Sequence, residues 1–483
     1  MLVLLGKNAG EPAQRYVLHY RRLRAIRRVR AITVRIACIQ LTARRASDAA
    51  LALDDALAGI AAAAAHGARL AVLPECTYPG YVLLRRRLPG GASSVERALC
   101  AISQAARRTG VAVCIGVARS GPDGELRNEA VYFNRSGEQV ARYAKFFLWN
   151  FDREWFSAGN TVPTFETEFG RIGMMICADG RMPEIARTLT RRGAWLVLDP
   201  TAWVSSGATY ESMRNPQVDY MMSVRARENG IWIAAADKCG SEHGAVHYVG
   251  NSMIVAPDGS VVASADARSP SIVIADVQRG RDRPFVVALS AAERRALARL
   301  EPRAISAKPP AFRLGVLQGP FRRGRATAIA ALQAQGVGAI VDTSSKASAM
   351  RAELRKVRGL RVSIIPATRM LAPEPPRAAA IDGADVLVWI DPPADPMCRA
   401  IARTRALENR VYVVVCERAG SAGNACVIDP DGAVTGEALI GTPSGFVAAI
   451  DAARARDKTL VPETDAFSAR IPRVFALFDG TGA

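Results

Sequence analysis

The chain has 483 residues, of which 49% are apolar and 23% charged, and its 64 Lys and Arg against 45 Asp and Glu give a formal net charge of +19. This length predicts two or three domains, and the composition excludes a collagen-like or largely disordered chain. No run approaches about 18 uncharged apolar residues, so no transmembrane helix is predicted. The first residues lack the basic and long apolar segments of a signal peptide, so we expect a cytoplasmic protein without membrane association.

Neither a disulfide framework nor a zinc site is predicted. The nine cysteines are odd in number and contain no Cys-x-x-Cys motif. His243 and His247 alone have a spacing that suits a metal, and they lie in a Gly-containing loop. We therefore expect no metal and no cofactor.

A dense basic run, "RRLRAIRRVRAITVR", covers Arg21–Arg35, and we treat residues 1–30 as a basic N-terminal extension. One interpretation is an arm that binds nucleic acid or an anionic membrane. The other is a solvated extension without a partner. No aromatic residues or reader motif accompany the run, which favours the solvated extension, so no nucleic-acid partner is expected.

From residue 31 onward, apolar strand-like runs alternate with helical runs. Helices are predicted over 50–68 and 94–110, and both end at a Gly, a typical helix C-cap. The strands are continuously apolar, which is typical of sheets that helices cover. The sequence therefore predicts an α/β fold.

A short apolar strand leads directly to the first polar position of interest. The strand 70–73 stops at Pro74, and Glu75 follows at once. A carboxylate behind a buried strand is costly in free energy unless a partner compensates its charge. Glu75 is therefore either a functional carboxylate or a surface or capping residue of a turn.

Lys145 stands at the end of another strand-like run, before the aromatic stretch "FFLWNFDREWF" (146–156). A partly buried ammonium beside aromatic rings needs a partner of opposite charge. The alternative is a snorkelling Lys, with its aliphatic stem buried and its ammonium in water.

Cys177 ends the apolar strand 173–176, and Ala-Asp-Gly follows it as a turn. Pro183 and Glu184 then open a helix, since Pro and an acid in the first turn are helix-start signals. A Cys between a strand end and a helix N-terminus faces the positive end of the helix dipole, so we expect a lowered thiol pKa. The alternative is an inert buried Cys.

The chain repeats itself in four places that occur in the same order in both halves, which predicts two tandem copies of one unit. The clearest match pairs "VRARENGIWIAAADKCG" with "TRALENRVYVVVCERAG" without a gap. The matched segments are 34–42 with 312–320, 193–200 with 383–392, 224–240 with 404–420, and 251–259 with 424–432.

A basic helical stretch and a Pro-containing segment separate the two copies. The predicted divisions are an extension at 1–30, a first domain at 31–285, a linker at 286–310, a second domain at 311–465 and a tail at 466–483. The second copy is shorter, with a Pro-rich loop around "MLAPEPPRAA". We expect it to lack the Lys and Cys segments and to carry Asp342 or Thr343 where the first copy has Glu75.

Cys177, Glu75 and Lys145 together make a coherent site for covalent catalysis. Cys177 would be the nucleophile, Glu75 would take its proton and later activate water, and Lys145 would stabilise the thiolate and the oxyanion. Other hydrolase signatures are absent from the sequence: it contains no G-x-S-x-G, no H-E-x-x-H and no Walker loop.

The three segments, in this order, resemble the Glu-Lys-Cys triad of the nitrilase superfamily of carbon–nitrogen hydrolases. "RARENG" and "GNSMIVAPDG" (250–259) are similar to the downstream framework of that family. The resemblance implies a four-layer α-β-β-α sandwich, here in two tandem copies with the second truncated. It also implies hydrolysis of nonpeptide C–N bonds through a thioester at the Cys, with release of ammonia.

Further residues are assigned through the same resemblance. Family members carry a fourth, acidic catalytic residue soon after the Lys; Asp152 and Glu154 both fit, and the spacing favours Asp152. Phe147 stands where many members have His, which predicts a drier pocket. "CADGRMPE" resembles the amidase and carbamoylase branches more than the nitrilases, so a linear amide or N-carbamoyl compound is the expected small-molecule substrate.

Four side chains are predicted to bind the substrate: Tyr81, Trp149, Arg181 and Trp203. Arg181 suits a substrate carboxylate, which a guanidinium binds through two hydrogen bonds. The alternative is a structural ion pair of Arg181 with Asp179 or Glu184, and for the aromatic residues an ordinary place in the core.

The second copy is expected to be a degenerate domain that supplies an assembly surface. The resemblance implies either a homo-oligomer or a pseudo-dimer within one chain. Nitrile hydrolysis and acyl transfer are alternatives that use the same triad. A non-catalytic scaffold is the alternative from a different functional class.

Overall fold

The computed structural model describes residues 33–470 except 84–87, 122, 206–208, 210–211, 281, 322 and 419–422. Residues 21–32 of the basic run and 471–483 of the predicted tail lie outside the described residues. Within the described part, the model contains no helix that is both long enough and apolar enough to cross a membrane.

The first half contains the following elements in chain order: β1 (Thr33–Thr42), α1 (Ala49–Ala65), β2 (Leu70–Val72), α2 (Gly91–Thr109), β3 (Ala112–Ser120), β4 (Leu126–Phe133), β5 (Gln139–Ala144), α3 (Asp152–Trp155), β6 (Thr164–Thr167), β7 (Gly170–Met174), α4 (Pro183–Arg191), β8 (Leu196–Pro200), α5 (Met222–Asn229), β9 (Trp232–Ala236), β10 (Lys238–Glu242), β11 (Val246–Val249), β12 (Met253–Val255), β13 (Val261–Ser264) and β14 (Ser271–Gln278). The predicted helices over 50–68 and 94–110 are confirmed as α1 and α2.

The strands of the first half form two sheets. The first has the order β11-β10-β1-β2-β3-β4-β5, with β14 also paired to β1, and the second has the order β13-β12-β9-β8-β7-β6. Strands β1, β2 and β3 are parallel, as are β7, β8 and β9. The carboxyl ends of these parallel strands carry the loops that hold the candidate site.

The two sheets pack face to face, and helices cover their outer faces. Successive residues of β1 divide between two cores: Ile36 lies between the sheets, and Ala37 lies beneath α1 and α2. On the other side, Ile185 of α4 and Val224 of α5 join the core of the second sheet. This arrangement confirms the α/β class and the α-β-β-α layering.

The second half contains α6 (Ala291–Leu297), β15 (Ala311–Gln318), α7 (Arg325–Gln333), β16 (Ala339–Asp342), α8 (Ala347–Leu354), β17 (Val362–Pro366), α9 (Glu374–Ile381), β18 (Val386–Ile390), α10 (Cys398–Asn409), β19 (Tyr412–Cys416), β20 (Cys426–Ile428), β21 (Val434–Glu437), β22 (Ser444–Asp451), α11 (Ala452–Arg456), β23 (Thr459–Val461) and β24 (Thr464–Asp465). Its sheets have the orders β16-β15-β22 and β17-β18-β19-β20-β21, and β23 and β24 form a hairpin.

These pairings repeat those of the first half. β15 pairs with β22 antiparallel and with β16 in parallel, as β1 does with β14 and β2. The sheet from β17 to β21 has the parallel and antiparallel pairings of β7-β8-β9-β12-β13. Within the described residues, the second half has no counterpart of β3 to β6, which accounts for its shorter length.

The Pro-rich segment 370–379 differs from the loop that the sequence predicts. Part of it is helix, because Glu374 begins α9, whose N-terminal Pro375 needs no intrahelical donor. This helix occupies the place of α4, and Gly383 follows it as Gly193 follows α4. The strand–turn–helix segment around the Cys position is therefore present in both halves.

The two halves face each other through α4 and α5 on one side and α9 and α10 on the other. Two Arg–Glu pairs cross this interface at matching positions: Arg225 with Glu408 at 2.5 Å, and Arg405 with Glu228 at 2.6 Å. Each Arg also bonds the Glu three residues on in its own helix. The four buried side chains thus form a closed ring with an approximate two-fold axis.

A second pair of contacts repeats this symmetry. Arg377 of α9 donates to Glu184 of α4 at 2.8 Å, and Arg187 of α4 lies 3.1 Å from Glu374 of α9. Buried charges are tolerated only when they are paired, so these contacts fix the relative orientation of the halves.

Candidate active site

Glu75 lies behind β2, between the two sheets of the first half, and is fully buried. Its Oε1 accepts hydrogen bonds from Asn128 Nδ2 at 2.5 Å and from Lys145 Nζ at 2.7 Å. Its Oε2 is buried without a hydrogen-bond partner among the described residues. Gly116 of β3 permits this position, because a Cβ there would lie 2.5 Å from the Cα of Glu75.

Lys145 follows β5, and its Nζ lies between two carboxylates. It donates to Glu75 at 2.7 Å and to Asp152 Oδ2 at 2.6 Å, and the side chain is fully buried. Burial alone would lower the pKa of Lys145, but the charges of Asp152 and Glu75 outweigh burial and hold that pKa well above its ordinary value. The two carboxylates thus favour the ammonium form, and the full burial of the side chain excludes the snorkelling alternative.

Asp152, the first residue of α3, is the acid that contacts Lys145. Its Oδ1 accepts from the Tyr81 hydroxyl at 2.6 Å, and its Oδ2 also accepts from the backbone N–H of Trp149 at 2.8 Å. Glu154, the other acid that the sequence allows, is exposed on the same short helix. Asp152 is thus the buried acid in contact with Lys145, whereas Glu154 is exposed.

Cys177 stands just beyond β7 in a left-handed backbone conformation, with φ 51°. This conformation is uncommon for a residue with a Cβ, and its surroundings hold it in place. Its N–H donates to Asp199 Oδ1 at 2.8 Å, and its carbonyl accepts from Gln217 Nε2 at 2.6 Å. The side chain is only 7% exposed.

The prediction of a lowered thiol pKa is wrong. Burial and the charge of Glu75 raise the pKa of Cys177 well above its ordinary value, although Lys145 and the N–H of Ala202 act in the opposite direction. A 3₁₀ turn over Cys177–Arg181 separates the thiol from α4, so no long helix points its positive end at the sulfur. Burial thus disfavours the thiolate form of Cys177 in this structure.

Burial likewise raises the pKa of Glu75, against the opposing effects of the Lys145 charge and the Asn128 hydrogen bond. Glu75, Lys145 and Asp152 form one hydrogen-bonded, buried cluster, and the charges of Glu75 and Lys145 act on the pKa of the buried Cys177 thiol. A carboxyl with a raised pKa beside a thiol is suited to exchange a proton with it.

Arg181 lies at the edge of this cluster, with its guanidinium 4.2 Å from the ring centre of Trp149. Burial lowers the pKa of Arg181 to about 10. No carboxylate of the described residues is paired with it. The alternative partners are engaged elsewhere: Asp179 accepts from Tyr143 and from backbone N–H groups, and Glu184 accepts from arginines of other segments.

The other two predicted binding residues lie deeper. Tyr81 is 1% exposed, and it contacts Asp152 through its hydroxyl and packs edge-on against Phe151 and Trp155. Trp203 is fully buried in the core between the sheets. Both therefore lie in the core around the cluster, as the alternative interpretation expects, and Trp149 and Arg181 remain at its edge.

Sequence reasoning missed four residues that hold the cluster in place: Asn128, Asp179, Asp199 and Gln217. Asp199 is a polar residue inside an otherwise apolar strand, and that contrast was the available signal. Asn128 stands between Arg127 and Glu129, so its own strand offered no such contrast. Asp199 Oδ2 has no hydrogen-bond partner among the described residues. Burial raises the pKa of Asp199 well above its ordinary value.

The matching positions of the second half carry other residues. The registers Ile36 to Leu70 in the first half and Leu314 to Ala339 in the second place Ser344 where Glu75 stands. The sequence predicted Asp342 or Thr343 at this position, and the residue found there, Ser344, lies two positions after Asp342 and one after Thr343.

The Cys position is also occupied in the second half. Gly173 pairs with Val197 as Ser363 pairs with Leu387, so Ala367 takes the place of Cys177. Ala367 keeps the left-handed backbone, with φ 42°, and also begins a 3₁₀ turn. The expectation that this segment is absent is wrong, since its backbone is retained while the thiol is missing.

No group of three or more His, Cys, Asp or Glu suited to a metal ion occurs among the described residues. The buried residues themselves offer a thiol at Cys177, a carboxyl at Glu75 with one oxygen that has no hydrogen-bond partner among the described residues, and an amine at Lys145 held by two carboxylates.

Comparisons with known proteins give the family. The carbon-nitrogen hydrolase family model matches residues 35–285 and 349–458. The "Hydrolase in pqqF 5'region" of Pseudomonas protegens is 34% identical over 207 residues, which cover 42% of this chain and 69% of that protein. The omega-amidase NIT2 of Xenopus tropicalis is 27% identical over 233 residues, which cover 44% of this chain and 78% of that protein.

Among solved structures, an amidase from Nesterenkonia sp. is 30% identical, with a TM-score of 0.46, and the match covers 50% of this chain and 90% of that one. The family model alone spans well over half of the chain, across both halves. The chain therefore belongs to the carbon–nitrogen hydrolase family of the nitrilase superfamily and is a hydrolase of carbon–nitrogen bonds.

Proposed function

We propose that the chain cleaves a linear amide or N-carbamoyl compound through a thioester at Cys177 and releases ammonia, without a cofactor. One observation carries the proposal: Glu75 is held through Oε1 by Lys145 and Asn128, whereas Oε2 has no hydrogen-bond partner among the described residues. A carboxylate that is fixed through one oxygen and free at the other is suited to general-base catalysis.

In the first half-reaction, Glu75 removes the thiol proton as the sulfur of Cys177 attacks the substrate carbonyl. The C–S bond forms, and the carbonyl oxygen becomes an oxyanion that the ammonium of Lys145 stabilises. Because this ammonium is already fixed between two carboxylates, little reorganisation is needed. The C–N bond then breaks, and Glu75 returns its proton to the leaving ammonia.

In the second half-reaction, Glu75 takes a proton from water, which attacks the thioester carbonyl. The C–S bond breaks, the carboxylic or carbamic acid leaves, and Cys177 recovers its proton. The balance is one water consumed and one ammonia released per amide. A carbamic acid from an N-carbamoyl substrate then decomposes to an amine and carbon dioxide.

Asp152 is the fourth catalytic residue in this proposal. Its contact with Lys145 Nζ at 2.6 Å keeps the ammonium charged and aimed at the reacting carbonyl. Tyr81 acts through Asp152, because its hydroxyl fixes the other carboxylate oxygen. Trp203 contributes the dry wall that strengthens these electrostatic interactions.

Arg181 supports a substrate that carries a carboxylate. The guanidinium of Arg181 contacts the Trp149 ring but lacks a carboxylate partner among the described residues, so no opposite charge compensates its lost hydration. A bound carboxylate would supply that compensation through two hydrogen bonds, while the ring of Trp149 orients the planar guanidinium by stacking against it. The favoured substrates are thus monoamides of dicarboxylic acids and N-carbamoyl amino acids.

The second half is a degenerate, non-catalytic copy in this proposal, since Ser344 and Ala367 replace the base and the nucleophile. Its α9 and α10 cover α4 and α5, which makes the chain a pseudo-dimer. In this proposal the catalytic domain covers residues 31–285, the linker 286–310 and the second domain 311–465. The proposed location of the protein is the cytoplasm.

The test is ammonia release from a panel of dicarboxylic monoamides, N-carbamoyl amino acids, neutral aliphatic amides and nitriles, with Cys177→Ala as the control. We expect ammonia from a carboxylate-bearing amide or carbamoyl compound, and none from the Ala variant. Release only from nitriles would contradict the amide assignment. Release from no compound would contradict the catalytic proposal and favour a scaffold.

A further inference from the structure

The hairpin formed by β23 and β24 reaches from the second half to the candidate active site. Thr464 is 1% exposed, and its Oγ1 accepts a hydrogen bond from the backbone N–H of Asn150 at 2.7 Å. Asn150 lies between Lys145 and Asp152, and its backbone is left-handed, with φ 44°. The second half therefore holds the loop that carries Trp149, the stacking partner of Arg181.

The same hairpin supplies a wall beside Arg181. A small cavity at this point is lined by Phe147 and Arg181 from the first half and by Leu407, Leu460 and Ala466 from the second. Three of the second-half residues in this lining are apolar, and the fourth, Glu408, is already bonded to Arg225 and Arg405. The apolar side chains limit the space beyond the guanidinium.

The hairpin is anchored at its far end by buried contacts. Arg377, which bonds Glu184 across the interface, donates to the carbonyl of Ala466 at 2.9 Å and stacks 4.0 Å from the ring centre of Phe467. Arg470 donates to the same Glu184 at 2.9 Å. These contacts tie the hairpin to the first half as a fixed wall.

The segment that follows the first half makes the corresponding contact with the second half, and the chemistry of that contact is different. The segment that follows the first half packs α6 against α9, and Glu293 there accepts from Arg369 at 2.6 Å. Arg369 lies in the turn that begins at Ala367. An ion pair thus lies at the Cys-less turn of the second half, whereas the hairpin segment places the apolar Leu460 and Ala466 beside Arg181 at the edge of the Cys177 site.

We propose that the hairpin β23–β24 completes the substrate pocket of the first half, with Leu460 limiting the length of the substrate beyond Arg181 and Thr464 positioning the Trp149 loop. This inference rests on the proposed function. Thr464 is a positioning residue, since it acts through the loop, and Leu460 is a specificity-determining residue.

The experiment measures kcat and KM for dicarboxylic monoamides of increasing chain length, for N-carbamoyl amino acids of increasing side-chain size, and for a neutral amide. Leu460→Ala should shift the kcat/KM ratio of longer to shorter substrates upward by about tenfold, because one methylene in an apolar pocket changes discrimination by about that factor or more. Thermal unfolding is measured alongside.

Thr464→Val removes the acceptor at nearly constant volume, and Thr464→Ser restores it. Val should raise KM for carboxylate-bearing substrates by about tenfold and leave KM for the neutral amide unchanged, and Ser should return KM toward the wild-type value. A uniform loss for all substrates would indicate only a structural role. The control is Thr459→Val, an exposed position on the same hairpin.

The outcomes separate the two proposals. A wild-type enzyme that is active, with variants whose relative kcat/KM values match the wild type across both series, overturns the hairpin inference alone. A wild-type protein that releases no ammonia from any member overturns the proposed function and the hairpin inference with it. The expected shifts in length preference and in KM support both.

Discussion

Arg225 of the first half and Glu408 of the second are joined by a buried hydrogen bond of 2.5 Å. The sequence repeat puts Arg405 and Glu228 at the equivalent positions, and they are joined at 2.6 Å. The two copies of this Arg–Glu motif therefore bind each other across the interface. A contact of this kind could join two identical subunits, and here it joins the two halves of one polypeptide.

Glu408→Ala should lower the free energy of unfolding by about 3–5 kcal/mol, because it leaves two buried guanidinium groups with Glu228 as the one carboxylate of the ring that still pairs with them. Urea denaturation followed by circular dichroism measures this loss. The control is Asp276→Ala, which breaks an exposed pair with Arg35 and should lower the stability far less, because solvent screens exposed pairs. Equal losses in the two variants would contradict the role of the ring.

Removal of residues 311–483 should yield an insoluble or misassembled protein without ammonia release. The truncation exposes the apolar faces of α4 and α5 and leaves Glu184 and Arg225 without their cross-interface partners. Size-exclusion chromatography and the ammonia assay measure the outcome. A truncated protein that stays soluble and active with unchanged assembly would reject the structural role of the second half.

Lys145→Ala should abolish ammonia release while the fold is retained, because the oxyanion loses its ammonium and two carboxylates are left in contact. Glu75→Gln should lower kcat/KM by about 10²- to 10⁴-fold, the usual contribution of a general base. Cys100→Ala serves as the control, since this exposed thiol lies outside the cluster. Near-wild-type turnover in the Lys145 variant would remove the mechanism.

Arg181→Met should raise KM for carboxylate-bearing substrates by about 10- to 100-fold, the range expected when hydrogen bonds to a charged group are lost. A neutral amide should show little change, because it makes no contact of this kind. Steady-state kinetics on a matched pair of substrates, one with a carboxylate and one with a methyl ester, measures the difference. Equal effects on both would exclude a carboxylate site.

The acid limb of the kcat/KM profile should move to higher pH in Asn128→Leu. Glu75 must be ionised to act as a base, and burial raises its pKa, so activity falls on the acid side as the carboxyl takes up a proton. The Asn128 hydrogen bond lowers this pKa, and its loss raises the pKa further. A limb that stays in place or moves to lower pH would contradict the assignment of the base.

Much of the candidate site could be predicted because Glu75 and Cys177 follow short apolar segments, and because Lys145 precedes a conspicuous aromatic stretch. Glu75, Lys145 and Cys177 stand out locally, and the repeat of Arg225 and Glu228 in the second half is visible without a structure. For the acidic fourth residue of the candidate site the sequence left two candidates, Asp152 and Glu154. The structure distinguishes them, because Asp152 is buried and Glu154 is exposed.

The remaining features depend on contacts between distant segments. Nothing near Cys177 in sequence reveals that Asp199 accepts its N–H, or that burial and the charge of Glu75 raise its pKa. Ala367 escaped notice because a retained backbone without a thiol leaves no chemical signature. The bond from Asn150 to Thr464 spans 314 positions, and only the fold brings these residues together.

The account depends most directly on an acyl group at Cys177. The decisive measurement is mass spectrometry of the enzyme after rapid acid quench during turnover of an active amide, with peptide mapping of the adduct. The account predicts the mass of the acyl group on the peptide that contains Cys177, and no adduct in Cys177→Ala. Ammonia release with no adduct on this peptide, or with the adduct on another cysteine, would contradict it.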